Sequence, residues 1–406
     1  MKIGLLAYHS ACNMGATLQL LSSYGYWQKA GHEPIVINWV PKDLEESYIR
    51  RTPKVQYDEH WVLRKQLWRE TDLCRTAKDI AHVIEKEGIQ AIIIGSDAVT
   101  QHHPWLSRIC LSKKHIIWLS QYSTDRMFPN PFWGTFNDFL AKPIPTALMS
   151  ASSQDSAYSL ISHNLKSDMA KRLAAHKYIS VRDSWTQNMI TDITNGKIIP
   201  LVTPDPVFAF NYNAGEKISP RQDILKRYNL PDKYFLLSFH NKKTVSQLWI
   251  DEFYRLASSI GYTCVLLPFS ERSSYGSLPN SINLPLSPLD WYALIKYSSG
   301  YIGHNMHPLI VSLHNKIPFF SFDHYGQNRL SGLITNDRSS KILHILSLAG
   351  LQQNRVACSS LLFTPPAPAF VLDKILNFDT NKEKLFAYQY YKEYQKMMID
   401  IQNAIM

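Results

Sequence analysis

The chain has 406 residues, 45% of them hydrophobic and only 19% charged, which excludes a disordered chain and leaves enough apolar material for two cored domains. Its 43 Lys and Arg outnumber 33 Asp and Glu, for a formal charge of +10, but the basic residues are dispersed rather than run together, so no nucleic-acid partner is expected. No apolar stretch reaches the roughly 18 residues of a membrane span. The five cysteines show no Cys-x-x-Cys spacing, so neither a zinc site nor a disulfide framework is expected and a reducing, cytoplasmic setting is the simplest.

Met1–Tyr8 runs directly into a strand pattern over Lys2–Tyr8, with no signal peptide expected. A helix pattern over Ala16–Lys29 follows, then strands at Pro34–Asn38, Ile89–Gly95 and Tyr178–Arg182. Arg50–Glu70 is charged and contains tryptophan without a clear period, and reads as a helical or irregular insertion. Phe210–Ser219 reads as a loop-rich boundary. Beyond it the rhythm restarts: strands at Tyr234–Phe239, Tyr262–Phe269, Ser281–Pro285, Tyr301–Gly303 and Pro318–Phe322, and helices at Ser246–Ser259 and Pro288–Ser298. Ser287 and Asp290 make a capping box with Pro288 at the first helical position. Alternating strands and helices imply parallel sheets, so the expected fold is α/β and GT-B-like, with two Rossmann-like lobes and a cleft between them. The expected domains are 1–212, 213–375 and a final helix, 376–406. In that helix Tyr390, Tyr394, Met397, Ile401 and Ile405 share one face, suited to packing on the body or to touching a membrane surface.

Ligands of open parallel sheets bind beyond the carboxyl ends of the strands. There the second half places His240, Asn241, Lys242 and Lys243; Ser270, Glu271 and Arg272; His304, Asn305 and His307; and Asp323, His324 and Tyr325. His307 precedes Pro308, which predicts that His307 caps a helix whose amino terminus favours an anion. In the first half Asn13 and Gly15 permit close approach at a helix start, Gly95-Ser96-Asp97 ends a strand, and Arg182 ends another where a guanidinium can hold a carboxylate or phosphate. An Arg182–Asp183 surface pair is the plain alternative. Asp205 precedes Pro206 and suits either a turn or the orientation of a hydroxyl. Trp133 suits either the core or stacking on a sugar face.

In order and spacing, Asn13-Met14-Gly15-Ala16, Gly95-Ser96-Asp97, Phe132-Trp133-Gly134, Ser150-Ala151-Ser152, Ile179–Asp183, Asp205–Phe208 and Asn305–Phe322 resemble the polysaccharide pyruvyl transferase family. The resemblance implies a transferase that moves pyruvate from phosphoenolpyruvate to a sugar of a capsule, exopolysaccharide or lipid-linked precursor, with no cofactor or metal. It implies His307 as the acid–base residue with Asp205 beside it. Arg182, Asn305, Met306, Lys242, Lys243 and Arg272 would bind the donor on the side of the second lobe. Asn13, Gly15, Ser96, Asp97 and Trp133 would face the acceptor on the side of the first. His304, Asn305 and Pro308 depart from the acidic residue, Ser or Arg, and Gly that usually surround this histidine. A nucleotide-sugar glycosyltransferase on the same scaffold and a noncatalytic glycan-binding protein are the alternatives, and peripheral contact with the inner face of a membrane fits a lipid-linked acceptor.

Overall fold

The computed structural model describes residues 1–111, 117–329, 334–360 and 362–406. In the first half the elements are β1 (Lys2–Leu6), α1 (Met14–Lys29), β2 (Glu33–Val36), α2 (Lys42–Arg51), α3 (Lys54–Leu67), α4 (Ala77–Glu87), β3 (Ala91–Asp97), β4 (Ile109–Leu111), β5 (Ile117–Leu119), β6 (Thr146–Ala151), α5 (His163–Ala175), β7 (Tyr178–Val181), α6 (Ser184–Ile193) and β8 (Leu201–Val202). The second half comprises α7 (Phe210–Asn213), α8 (Arg221–Arg227), β9 (Tyr234–Ser238), α9 (Gln247–Ser259), β10 (Thr263–Leu266), α10 (Pro288–Lys296), β11 (Gly300–Gly303), α11 (Met306–Asn315), β12 (Phe319–Asp323), β13 (Gln327–Arg329), β14 (Ile334–Asn336), α12 (Lys341–Ala349), β15 (Arg355–Ala357), α13 (Pro368–Leu376) and α14 (Thr380–Ile405). A parallel sheet of order β2-β1-β3-β6-β7-β8 and a second of order β10-β9-β11-β12-β15 form the two lobes. β3 begins Ala91-Ile92-Ile93-Ile94 and is buried on both faces, as a central parallel strand covered by helices must be.

One hydrophobic core covers a face of each sheet at once. It joins Leu18, Leu21 and Trp27 of α1 to Trp291 and Tyr292 of α10, Leu309 of α11 and Tyr394 of α14. The outer faces keep their own cores, around Ile35, Ile84, Phe132 and Leu173 in the first lobe and around Phe253, Ile302 and Val371 in the second. In α14, Tyr390, Tyr394, Met397, Ile401 and Ile405 are all buried, so that stripe is taken by packing and is not offered to a membrane. The helix contacts β6 and β7 of the first lobe as well as α11 and α12 of the second. No helix among the described residues is long and apolar enough to cross a membrane.

Three expectations change, and the open reading of Arg50–Glu70 resolves to its helical alternative. Ser281–Pro285 is not a strand, since only Ser281 bridges to Leu266; the chain is drawn off the sheet edge because the Leu286 amide donates to Gln56 Oε1 (2.7 Å) and its carbonyl accepts from Gln56 Nε2 (3.0 Å). Arg50–Glu70 lies largely in α3, whose buried face carries Gln56, His60, Arg64 and Leu67. Three polar residues on that stripe hide the helical period. Phe210–Ser219 is helical at its start instead of a loop. Ser287 caps α10 through the Leu289 amide, whereas Asp290 accepts from Arg227 and from Tyr228 Oη.

Glu383, in the first turn of α14, is fully buried and neither carboxyl oxygen has a hydrogen-bond partner. Burial pushes its pKa up to about 8, with Lys316 and Lys384 only partly opposing the rise. A carboxyl whose folded pKa lies above its unfolded value penalises the fold as pH climbs through the unfolded value, and the penalty is complete above the folded one. Between pH 5 and 8 the wild type should therefore lose stability on the order of a few kcal/mol relative to Glu383→Gln. Thermal unfolding of both proteins across that range measures it, and parallel pH profiles would contradict the assignment.

Candidate functional site

The carboxyl ends of both sheets meet at the cleft. Arg182, just after β7, is buried, and each arm of its guanidinium holds a different carboxylate: NH2 donates to Asp97 Oδ1 (2.7 Å) and NH1 to Asp205 Oδ2 (3.0 Å). Asp205 also accepts from Gln19 Nε2 of α1 and, through Oδ1, from the Val207 amide (3.0 Å), so it caps the turn that leaves the first lobe. Burial opposes the charge on Arg182, but Asp97, Asp205 and Asp183 outweigh it and hold the guanidinium proton more tightly than usual. Asp97 is half-buried, yet Arg182, Lys341 and His307 draw its pKa well below the usual carboxylate range.

His307 enters from the second lobe. It lies in the first turn of α11, and the helix starts at Met306 after Asn305, so the histidine is inside the helix and not its cap. Its Nε2 stands 3.8 Å from Asp205 Oδ2 and has no hydrogen-bond partner. Burial lowers its pKa, with Asp205 and Asp97 opposing that shift. Asn305 takes φ +76°, a conformation costly for a residue with a side chain and often retained at functional sites. His240 Nε2 pairs with its Oδ1 (3.2 Å), while Arg272 NH2 donates to His240 Nδ1 (2.9 Å). That bond fixes His240 with its Nδ1 unprotonated, consistent with a pKa lowered by burial to about 4.

Two cavities meet at His307, of about 190 and 210 Å³. The smaller is lined by Asn13, Gly15, His240, Arg272, Asn305 and Trp291. The larger is lined by Arg51, Asp97, Arg126, Arg182, Met306 and Lys341. His307, Asn13, Glu271 and Tyr325 face both. The residues expected to form one donor surface are thus divided, with Arg182 and Met306 in the larger cavity and Arg272 and Asn305 in the smaller. Lys242 and Lys243 are exposed and line neither cavity, because the turn after β9 carries them outward. Trp133 is buried in the outer core of the first lobe, edge-on to Phe128, and has no face for a sugar. Ser96 is buried and lines neither cavity. Gly15 does permit a close approach, but the visitor is His307: a Cβ there would lie 2.1 Å from the imidazole. Arg51, Arg126 and Lys341 escaped the sequence reading. Only Lys341 had a local signal, since Ser340 caps α12 through the Leu343 amide.

Two parallel α/β lobes with a histidine over a cation-lined cleft make a GT-B scaffold with its candidate site between the sheets' carboxyl ends. The chain matches the polysaccharide pyruvyl transferase family over residues 13–325 and belongs to that family. No curated protein sequence matches it. Among solved structures, UDP-GlcNAc 2-epimerase from Neisseria meningitidis bound to UDP-GlcNAc is similar in fold (TM-score 0.57, 9% identity, 99% of each chain covered). So are UDP-GlcNAc 2-epimerase from Methanocaldococcus jannaschii (0.51, 10%, 96% of this chain and 100% of that one) and a spinosyn forosaminyltransferase (0.51, 10%, 97% and 95%).

Two outcomes follow from this packing. Gly15→Ala should displace the His307 ring and reduce turnover about 100-fold or more, the scale of a 1 Å misplacement, while the protein stays folded by circular dichroism. Arg182→Ala should cost roughly 3–5 kcal/mol in denaturant unfolding, because it leaves Asp97 and Asp205 buried without their partner. A loss no larger than that of a surface substitution would show that the two carboxylates are satisfied by other groups.

Proposed function

We propose that this protein transfers pyruvate from phosphoenolpyruvate to two hydroxyls of a sugar in a bacterial surface polysaccharide or its lipid-linked precursor, forming a ketal. The observation that carries the reading is the place of His307, on the wall shared by a cation-lined cavity and a second, histidine-bearing one. The donor would lie in the larger cavity with its acidic groups toward the cations, and the sugar in the smaller one.

His307, in its protonated form and with Nε2 turned toward Asp205, would give a ring proton to the methylene carbon of the donor and leave positive charge at the adjacent carbon. Asp205 and Asp97 favour that protonated imidazole, against burial. An acceptor hydroxyl then adds to the cationic carbon and its proton returns to the imidazole. Phosphate leaves with the electron pair of its C–O bond and takes up the proton of a second hydroxyl as that hydroxyl closes the ring. Protons balance as one donor and one diol giving one ketal and one phosphate. Arg182, with both arms committed to carboxylates, fixes Asp205 beneath the imidazole and acts as a positioning residue. We place the enzyme in the cytoplasm, where phosphoenolpyruvate and a carrier-bound glycan would both be at hand.

The purified protein should release phosphate from phosphoenolpyruvate when offered a galactose-, glucose- or N-acetylhexosamine-based acceptor. The product should be about 70 Da heavier than the acceptor, and His307→Ala should lower turnover by about 10²–10⁴-fold. No turnover on any acceptor, with thermal stabilisation by a uridine diphosphate sugar alone, would replace this reading with sugar transfer. Glycan binding without phosphate release would leave a noncatalytic binder.

A further inference from the structure

Lys341 opens α12 in the second lobe and lies 93% buried (7% exposed), with its side chain on the larger cavity. Among the described residues no carboxylate lies within ion-pair distance of its ammonium group, and that group makes no hydrogen bond. Its Nζ sits 5.7 Å from the centre of the Tyr325 ring, which lines both cavities. A lysine is rarely buried so deeply without a partner. The ammonium faces charged groups from several elements: Arg182 after β7, Asp97 at the end of β3, Asp183 at the start of α6, Asp155 in the turn after β6, and His307 on α11. His344, on its own helix, faces Asp183. Arg182 takes Asp97 and Asp205 as its ion-pair partners and leaves Lys341 over.

The position is held rigidly. Asp323, fully buried at the end of β12, accepts from the Tyr325 amide (2.8 Å), from Ser340 Oγ and from Arg355 Nε (2.7 Å), and Arg355 also reaches Asp337 (3.1 Å). One carboxylate therefore fixes both Tyr325 and Ser340, the cap of α12 next to Lys341.

We propose that Lys341 supplies the counter-charge for an acidic oxygen of the phosphorylated three-carbon donor, in the cavity it shares with Arg182, Arg126 and His307. The assignment rests on the pyruvyl-transfer reading and extends it to a residue outside the segment that matches the family. Burial first, then Arg182, lowers the Lys341 pKa to about 8, with Asp97, Asp183 and Asp155 opposing. Only the protonated amine attracts an anion. Donor affinity should therefore be level below about pH 8 and fall about tenfold per pH unit above it.

Calorimetric titration of the full chain with phosphoenolpyruvate and, separately, with inorganic phosphate, from pH 7 to 9.5, tests the assignment. Lys341→Met should weaken phosphoenolpyruvate binding about 10- to 100-fold at pH 7 and abolish the alkaline fall, whereas Lys341→Arg should bind with a flat profile across the range. His307→Ala should bind the donor with the wild-type alkaline fall while failing to turn it over. Equal affinity of the wild type and Lys341→Met, at equal thermal stability, would overturn the role of Lys341 and leave pyruvyl transfer standing. Phosphate bound in a Lys341-dependent way without any binding of phosphoenolpyruvate would overturn the donor reading and the proposal with it. If Lys341→Met proves unstable, the alkaline profile of Lys341→Arg decides, since a purely structural lysine would not shift it.

Discussion

The site depends on one buried cation. Arg182 holds Asp97 with one arm and Asp205 with the other, and these carboxylates belong to distant parts of the chain, one at the end of a central strand and one at the turn where the chain leaves the first lobe. Two carboxylates removed from water near one another repel and protonate unless a cation lies between them. With Arg182 there, the Asp97 carboxyl is held well below its usual range, and a protonated His307 finds a negative surface already built. Gln19 and the Val207 amide complete the shell around Asp205, so its lone pairs are spent on fixing it in place. The arrangement is preorganised: the electrostatic cost of gathering these charges is met on folding.

The two halves of the machinery are joined by unusually close packing. Helix α1 of the first lobe and α11 of the second meet start to start, near enough that only a glycine fits opposite the imidazole. A core shared between the lobes lies directly behind that contact. The histidine therefore comes from one lobe and its carboxylate from the other. The His307–Asp205 approach exists only while the lobes keep this relation.

Much of this was legible in the sequence, and what was not failed for identifiable reasons. The strands before Asp97, Arg182 and His307 show as short apolar runs because parallel strands are buried on both faces, and the helices of the second lobe show as amphipathic periods. Residues just beyond strand ends, Arg182 and His307 among them, could be named because that is where such sheets bind ligands. Helix α3 was hidden because Gln56, His60 and Arg64 line its buried face and each spends its polarity on a specific partner. Lys242 and Lys243 were misjudged because the direction of a turn is set by tertiary contacts that local residue types do not encode. Trp133 had two readings open, and the packing of Phe128 and Trp39 around Phe132 and Trp133 chose the core. Lys341 lay beyond every strand end considered, on a helix brought to the cleft by the Asp323–Arg355 bridge.

The course of α14 has a mechanical consequence. The chain passes from the first lobe to the second near Asp205, and α14 returns to lie against β6 and β7, with Met397 Sδ accepting from Ser150 Oγ. The lobes are thus tied at two places as well as through the core they share. Moving one lobe against the other would have to strip Tyr390, Tyr394 and Ile401 of α14 from that core. The second tie therefore helps to hold His307 opposite the same carboxylate.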